Sequence, residues 1–239
     1  ALPSISSVSR LTIISRTKDS DGGWKIETNG NDEGIVSPAA HNNGTRIEVR
    51  DLFYATPARL KFIKSTTSET SYCVDMLERI ALANPQISFS LTSDGKKKVM
   101  LKASDGDLFD IRLKRISDIM GKDFADNAIL IDASRESVRI SGFVSLPTLN
   151  KANSLSQYLF VNNRQVRDKL LLGAIKGAYQ DVLAHNRYPI CALFFDVNPN
   201  YVDVNVHPAK AEVRFYDNQL VRGLLVSAIR AGLSVEGNK

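Results

Sequence analysis

The 239-residue sequence predicts an α/β fold built as two units, residues 1–103 and 104–239. Three observations carry that prediction. Short β-rich runs separated by Asn- and Gly-containing turns alternate with longer stretches of helical apolar spacing. The alternation starts afresh near Asp105, after a polar Ser-Asp-Gly break. With 43% apolar residues, the chain is rich enough in core-forming side chains to close two units of this size.

In the first unit, Val8–Ser15 and Trp24–Glu27 read as strands joined through an Asp21-Gly22-Gly23 turn. Gly34–Ala40 and Thr45–Val49 are two more strands, parted by Asn42-Asn43-Gly44. Thr45, Ile47 and Val49 alternate with polar residues, which predicts one buried strand face. Thr56 is placed to cap a short helix that opens at Pro57. Thr66–Asn84 is the clearest helix: Thr66 and Glu69 have capping-box spacing, and Cys73, Met76, Leu77 and Ile80 form an apolar stripe. Ser88–Thr92 and Val99–Lys102 pair across a turn at Asp94–Lys98.

In the second unit, Leu108–Met120 is a helix with Leu108, Ile111, Leu113, Ile116 and Met120 roughly on one side. Ile129–Asp132 and Val138–Ser145 read as strands, and Pro147 to Ser156 as a loop. Tyr158–Val161 and Gln165–Val166 flank Asn162-Asn163, a tight-hairpin signal because Asn tolerates positive φ. Asp168–Leu183 is an amphipathic helix with Leu171, Ile175, Ala178 and Val182 inward and Lys169 and Lys176 outward. Ile190–Val197 and Val202–Val206 are strands, and a helix from about Asn218 to Leu233 closes the chain.

No apolar run approaches the roughly 20 residues of a membrane span, and no basic-then-apolar leader is present. The expectation is therefore a cytoplasmic protein. Cys73 and Cys191 are far apart without metal-ligand spacing, so two buried thiols are expected and no metal site. The net charge of +5 is spread over both halves, so any nucleic-acid contact must come from local clustering.

Three constellations could carry chemistry. The run GTRIEVRDLFYATPARLKF, Gly44 to Phe62, is by physics a strand-to-helix connection with Arg59 and Lys61 on its surface. In VDVNVHPAKAEVRF, a strand with one polar face turns at Pro208-Ala209, leaving Lys210 at the bend and His207 beside a proline. In FVNNRQVRDK, Arg164, Arg167 and Lys169 gather at a hairpin-to-helix junction with Asp168 as the one opposing charge, and Lys176 follows on the helix. On charge alone that junction is a solvated basic face. Lys96, Lys97 and Lys98 read as a second basic turn in a solvated loop.

The first two runs resemble signature blocks of the MutL DNA mismatch-repair family, a branch of the GHKL ATPases. The resemblance covers essentially the whole chain. It implies the C-terminal part of a GHKL ATPase domain over residues 1–103, followed by a transducer domain similar to ribosomal protein S5 domain 2 over 104–239. Gly44-Thr45 matches the family's fourth ATPase motif, and Ala1-Leu2 the end of its third, a phosphate loop. Lys210 matches the lysine that reaches the γ-phosphate of ATP, with Asn205 in support. The family's catalytic glutamate, its magnesium-binding asparagine and its adenine-binding aspartate all precede the third motif. None is assignable here, so no catalytic residue is expected in this chain and no turnover from it alone. ATP and Mg2+ belong to the intact protein on this reading. Arg164, Arg167, Lys169 and Lys176 match a basic segment near the family's DNA groove. The resemblance further implies DNA, the mismatch-recognition protein MutS and downstream repair enzymes as partners, and a homodimer. Two other readings stand beside it: a non-enzymatic DNA-binding and interaction module, and another GHKL machine such as a type II topoisomerase subunit.

Overall fold

The computed structural model describes residues 2–30, 32, 34–206 and 211–237. It separates into two compact units, Ala1–Glu69 and Thr70–Lys239. The compactness boundary thus precedes the expected domain boundary at residue 103 and assigns most of one helix and one hairpin to the second unit.

The first unit runs α1 (Leu2–Ser6), β1 (Arg10–Arg16), β2 (Gly23–Asn29), β3 (Ile35–Ala39), β4 (Gly44–Arg50) and α2 (Pro57–Leu60). Its four strands form one antiparallel sheet in the order β3-β2-β1-β4. The registers Val36↔Ile26, Ile26↔Ile13 and Ile13↔Ile47 set four β-branched side chains in a row across it. The buried face expected for β4 is not found: Ile47 and Val49 are exposed, as are Trp24 and Val36. Among the described residues of this unit, α1 and α2 total only nine residues and leave most of the sheet uncovered. Thr56 precedes α2 as expected, but its side chain makes no capping bond; its Oγ donates to the Phe53 carbonyl at 3.5 Å instead.

The second unit opens with α3 (Thr66–Ala83), which begins at the end of the first, then β5 (Phe89–Ser93) and β6 (Lys96–Leu101). The cap of α3 lies one residue earlier than expected. Ser65 Oγ accepts from the Ser68 amide at 3.3 Å, and Glu69 reaches back to the Lys64 amide at 2.8 Å. The buried face of α3 is also rotated from the apolar stripe. Val74, Leu77 and Ala81 pack with Val99 and Leu101, whereas Cys73, Met76 and Ile80 are exposed. Cys73 is therefore not a core thiol. Asp94 and Gly95, with φ of 49° and 74°, close the β5–β6 hairpin in two residues. That tight turn leaves Lys96, Lys97 and Lys98 on strand β6 rather than in a loop.

Next come α4 (Leu108–Met120), α5 (Lys122–Asp126), β7 (Ala128–Arg135), β8 (Val138–Ser145), β9 (Asn150–Lys151), β10 (Gln157–Val161), β11 (Arg164–Val166) and α6 (Lys169–Ala178). The chain then forms β12 (Tyr188–Pro189), β13 (Cys191–Val197), β14 (Val202–Asp203), β15 (Arg214–Phe215) and α7 (Asn218–Gly237). The central sheet has the order β11-β10-β13-β8-β7, with β10 and β13 parallel and the other neighbours antiparallel. Strand β13 shows why its first five residues, Cys191 to Phe195, are all apolar. Cys191, Leu193 and Phe195 face a core shared with α6 and α7, while Ala192 and Phe194 face one built with Ile116 of α4 and Phe124 of α5.

One glycine is required by this sheet. Gly142 on β8 has φ of 129°, and a Cβ there would run into the Ala192 carbonyl oxygen of the neighbouring strand. The inward face of α4 carries two buried arginines that the apolar pattern does not announce. Arg112 stacks over Phe194 at 3.9 Å and donates to Ser141 Oγ at 3.0 Å. The Arg115 guanidinium donates to the carbonyls of Ala81, Pro85, Ile87 and Lys102 at 2.9–3.0 Å and to that of Asn84 at 3.4 Å. It thereby ties the end of α3 and the base of the β5–β6 hairpin to α4. Burial lowers the pKa of both arginines from the ordinary value.

Candidate functional site

The basic junction is built from the end of the β10–β11 hairpin and the start of α6. Asn162 and Asn163, at φ of 47° and 62°, make the expected two-residue turn. Asn162 also anchors it: its side chain donates to the Val197 carbonyl and accepts from the Val197 amide, both at 2.9 Å. The turn delivers Arg164 as the first residue of β11, with one guanidinium nitrogen buried and unpartnered. Arg167 is exposed; its backbone amide bonds the Ala211 carbonyl at 2.7 Å and its guanidinium donates to Ser154 Oγ at 3.2 Å.

Asp168, counted in the sequence as the one opposing charge, is buried and occupied. Its carboxylate caps α6, accepting from the Leu170 and Leu171 amides at 2.9 and 3.1 Å. The acidic neighbour of the junction is instead Glu212, 3.6 Å from Lys169 and 43 positions away in sequence, so no local pattern signals it. Lys169 is 91% exposed, and such a surface pair contributes only about 0–1 kcal/mol, leaving its charge available to an anion.

Helix α6 stops at Ala178, short of the expected Leu183, because Tyr179 turns inward. Its hydroxyl donates to the Ser145 carbonyl at 2.6 Å, and burial pushes its pKa well above the ordinary phenol value. Val182 is consequently exposed rather than on the apolar face. Lys176 remains on the outer face, its ammonium 5.8 Å from the Tyr188 ring centroid.

In the first unit, Gly44 and Thr45 start β4 opposite Arg16 and Ser15 of β1. Gly44 has φ of 126° with open space where a Cβ would stand, and Thr45 Oγ lies 2.8 Å from Ser15 Oγ. Both are exposed, so a ligand can approach their backbone closely. Leu2 lies in α1 and is 40% exposed. The turn after β4 holds Asp51 and Phe53 at positive φ, with the Phe53 amide bonded to the Val8 carbonyl at 2.7 Å. Tyr54 closes it, donating to Asn29 Oδ1 at 2.8 Å beneath the Arg10 guanidinium.

In the second unit, Asn205 lies beyond the end of β14, which is two residues long rather than five; its amide donates to Asp203 Oδ1 at 2.8 Å and its side chain is exposed. Ala1, His207 and Lys210 lie outside the described residues. Cys191 is buried and its thiol is pushed up to about 12 by burial, which makes it an inert core residue. Among the described residues, no group of three His, Cys, Asp or Glu could hold a metal ion, and no helix is long and apolar enough to cross a membrane.

Comparison with solved structures gives the class. The chain has the fold of a MutL-type GHKL ATPase region. The Aquifex aeolicus MutL ATPase domain, solved with ADP, matches 94% of this chain and 75% of its own length, with a TM-score of 0.64 and 26% identity. A crystallised N-terminal domain of a DNA repair protein matches 99% of the chain and 75% of its own, with a TM-score of 0.80 and 21% identity. The family model described as DNA mismatch repair protein, C-terminal domain, matches residues 116–234. The chain is 53% identical over all 239 residues to the DNA mismatch repair protein MutL of Rhodospirillum rubrum and spans 38% of that protein's length. It belongs to the MutL family of DNA mismatch-repair proteins.

Proposed function

We propose that the chain acts in DNA mismatch repair, as part of an ATP-driven coupler that links mismatch recognition to downstream repair enzymes and holds duplex DNA without regard to sequence. The observation that carries the reading is the basic junction in a chain of this family. Arg164, Arg167 and Lys169 fall within six residues between the start of β11 and the start of α6, and the carboxylate of Asp168 among them is spent on a helix cap. Backbone phosphate contacts from such residues give affinity that is independent of sequence. A coupler needs that property, because a mismatch can occur anywhere.

On this reading residues 1–103 are the C-terminal part of a GHKL ATPase domain and 104–239 a transducer domain. The family-model match, which begins at Ile116, supports the second assignment. Gly44 and Thr45 fit the edge of a nucleotide site, since an open glycine followed by an exposed hydroxyl lets a phosphate or ribose come against backbone. Lys210 is assigned to the terminal phosphate and Asn205 and Leu2, with Ala1, to supporting positions, as in the resembling motifs. An ammonium on the terminal phosphate responds to ATP rather than ADP. ATP with Mg2+ would supply that phosphate. MutS, downstream repair enzymes, a second copy of the protein and a cytoplasmic setting complete the reading.

The test is genetic. The full-length protein should restore a low spontaneous mutation rate to a bacterium lacking its own family member. Arg164→Glu combined with Lys169→Glu should fail to restore it at equal protein level. A double variant that repairs normally would remove the junction from function.

A further inference from the structure

Beside the C-terminal half of α6 opens a cleft of about 240 Å³. Gly173 and Gly177 form one wall, and neither has an atom within 4 Å of where a Cβ would stand, so a ligand can lie directly on the helix backbone. Lys176, His185 and Arg187 line the cleft, and no carboxylate does. The acidic residue nearest in sequence, Asp181, is engaged by Arg230 at 3.3 Å, and Arg230 also donates to the Gly177 carbonyl. No ion pair among the described residues uses Lys176 or Arg187. Tyr188, whose ring lies 5.8 Å from the Lys176 ammonium, supports that charge from below.

Two uncompensated cations over a bare helix backbone suit a compact oxyanion better than an apolar or cationic group. The cleft lies on the same face of α6 as Lys169 of the basic junction. Lys169, Gly173, Lys176 and Gln180 are all exposed at spacings of four, three and four residues, which is one face of a helix. Lys169 and Lys176 are about 10 Å apart along that face, at roughly 1.5 Å per residue.

We propose that the cleft seats a phosphate of the DNA backbone on Lys176 and Arg187, extending the phosphate track from the junction along the outer face of α6. The proposal rests on the DNA-binding reading above and adds Arg187, which lies nine residues beyond the end of α6. The same chemistry would accept a phosphate of a free nucleotide, and the experiment separates the two sources.

Binding of a fluorescent duplex to the full-length protein is measured against KCl for the parent, for Lys176→Gln with Arg187→Gln, and for Arg164→Glu with Lys169→Glu. ATP binding is measured on the same samples. The cleft pair should lower the log–log salt slope by about 0.9, the value of one lost phosphate contact, and leave ATP binding unchanged. Arg187→Lys, which keeps the charge, should hold the parental slope. If the junction pair weakens binding while the cleft pair keeps parental slope and affinity, the proposal is overturned and the DNA reading stands. If neither pair changes DNA binding, the DNA reading itself fails. Weakened ATP binding with an unchanged DNA slope would assign the cleft to a free nucleotide and also overturn the proposal. Lys176 and Arg187 are exposed, and circular dichroism checks that both pairs leave the fold intact.

Discussion

Replacing Arg115 with Met should be the most damaging single change on α4. The side chain is 2% exposed and its guanidinium serves five backbone carbonyls, four of them at 2.9–3.0 Å. Two of those, on Ala81 and Asn84, belong to the last turn of α3 and the residue after it, where helix carbonyls lack partners within the helix. Hydrogen bonds from a charged donor contribute about 1.5–3 kcal/mol each. They do not add, since desolvating the guanidinium costs several kcal/mol in return. Met fills similar space; the Ala81, Asn84 and Pro85 carbonyls keep the amides of Asn84, Ile87 and Ser104, whereas those of Ile87 and Lys102 lose the guanidinium. At about 1–3 kcal/mol for each such loss, the net cost is about 3–5 kcal/mol. At roughly 2–4 °C per kcal/mol for a chain of this size, Tm should fall by at least about 6 °C in a thermal melt followed by circular dichroism. Arg112→Met is the internal control, because Arg112 makes one hydrogen bond and one ring contact and should cost less. If Arg115→Met melted within about 2 °C of the parent, or above Arg112→Met, the guanidinium would not be the tie between α3, the hairpin and α4.

Gly142→Ala should destabilise by about 3 kcal/mol or more, because it combines a disfavoured φ with a backbone clash; a denaturant titration reads the loss directly. Asp168→Ala should cost about 1–2 kcal/mol through loss of the α6 cap, measured the same way, although it removes a negative charge from a basic edge. With a thiol reagent at neutral pH, exposed Cys73 should react in the native protein and Cys191 only on unfolding. Stability should also fall as pH climbs from about 9 towards 12. The Cys191 thiol is raised from 9.0 to about 12 in the fold, so it ionises more readily once unfolded.

Most elements were legible in the sequence because their signals are local. The Asn162-Asn163 turn, the apolar spacing of α4 and the apolar run from Cys191 to Phe195 in β13 each follow from a few adjacent residues. What was not legible depends on partners far along the chain. The face of α3 that is buried is set by the β5–β6 hairpin, so an apolar stripe one position round the helix misleads. No residue adjacent to Arg115 signals its burial, because the carbonyls it serves come from residues 81–102. At the basic junction the residues themselves could be named from sequence. Their electrostatics could not, since Asp168 turns into a cap and Glu212 arrives from 43 positions away.

A junction at Arg164, Arg167 and Lys169 that holds DNA by its phosphates, as proposed, must bind it with strong salt dependence and no sequence preference. The direct measurement is the salt dependence of duplex binding by the full-length protein, on two unrelated sequences, for the parent and for Arg164→Glu with Lys169→Glu. The parent should bind both sequences with equal affinity, and the variant should bind more weakly with a log–log slope shallower by up to about 1.8, two contacts' worth. A variant that keeps the parental affinity and slope on both duplexes would contradict it.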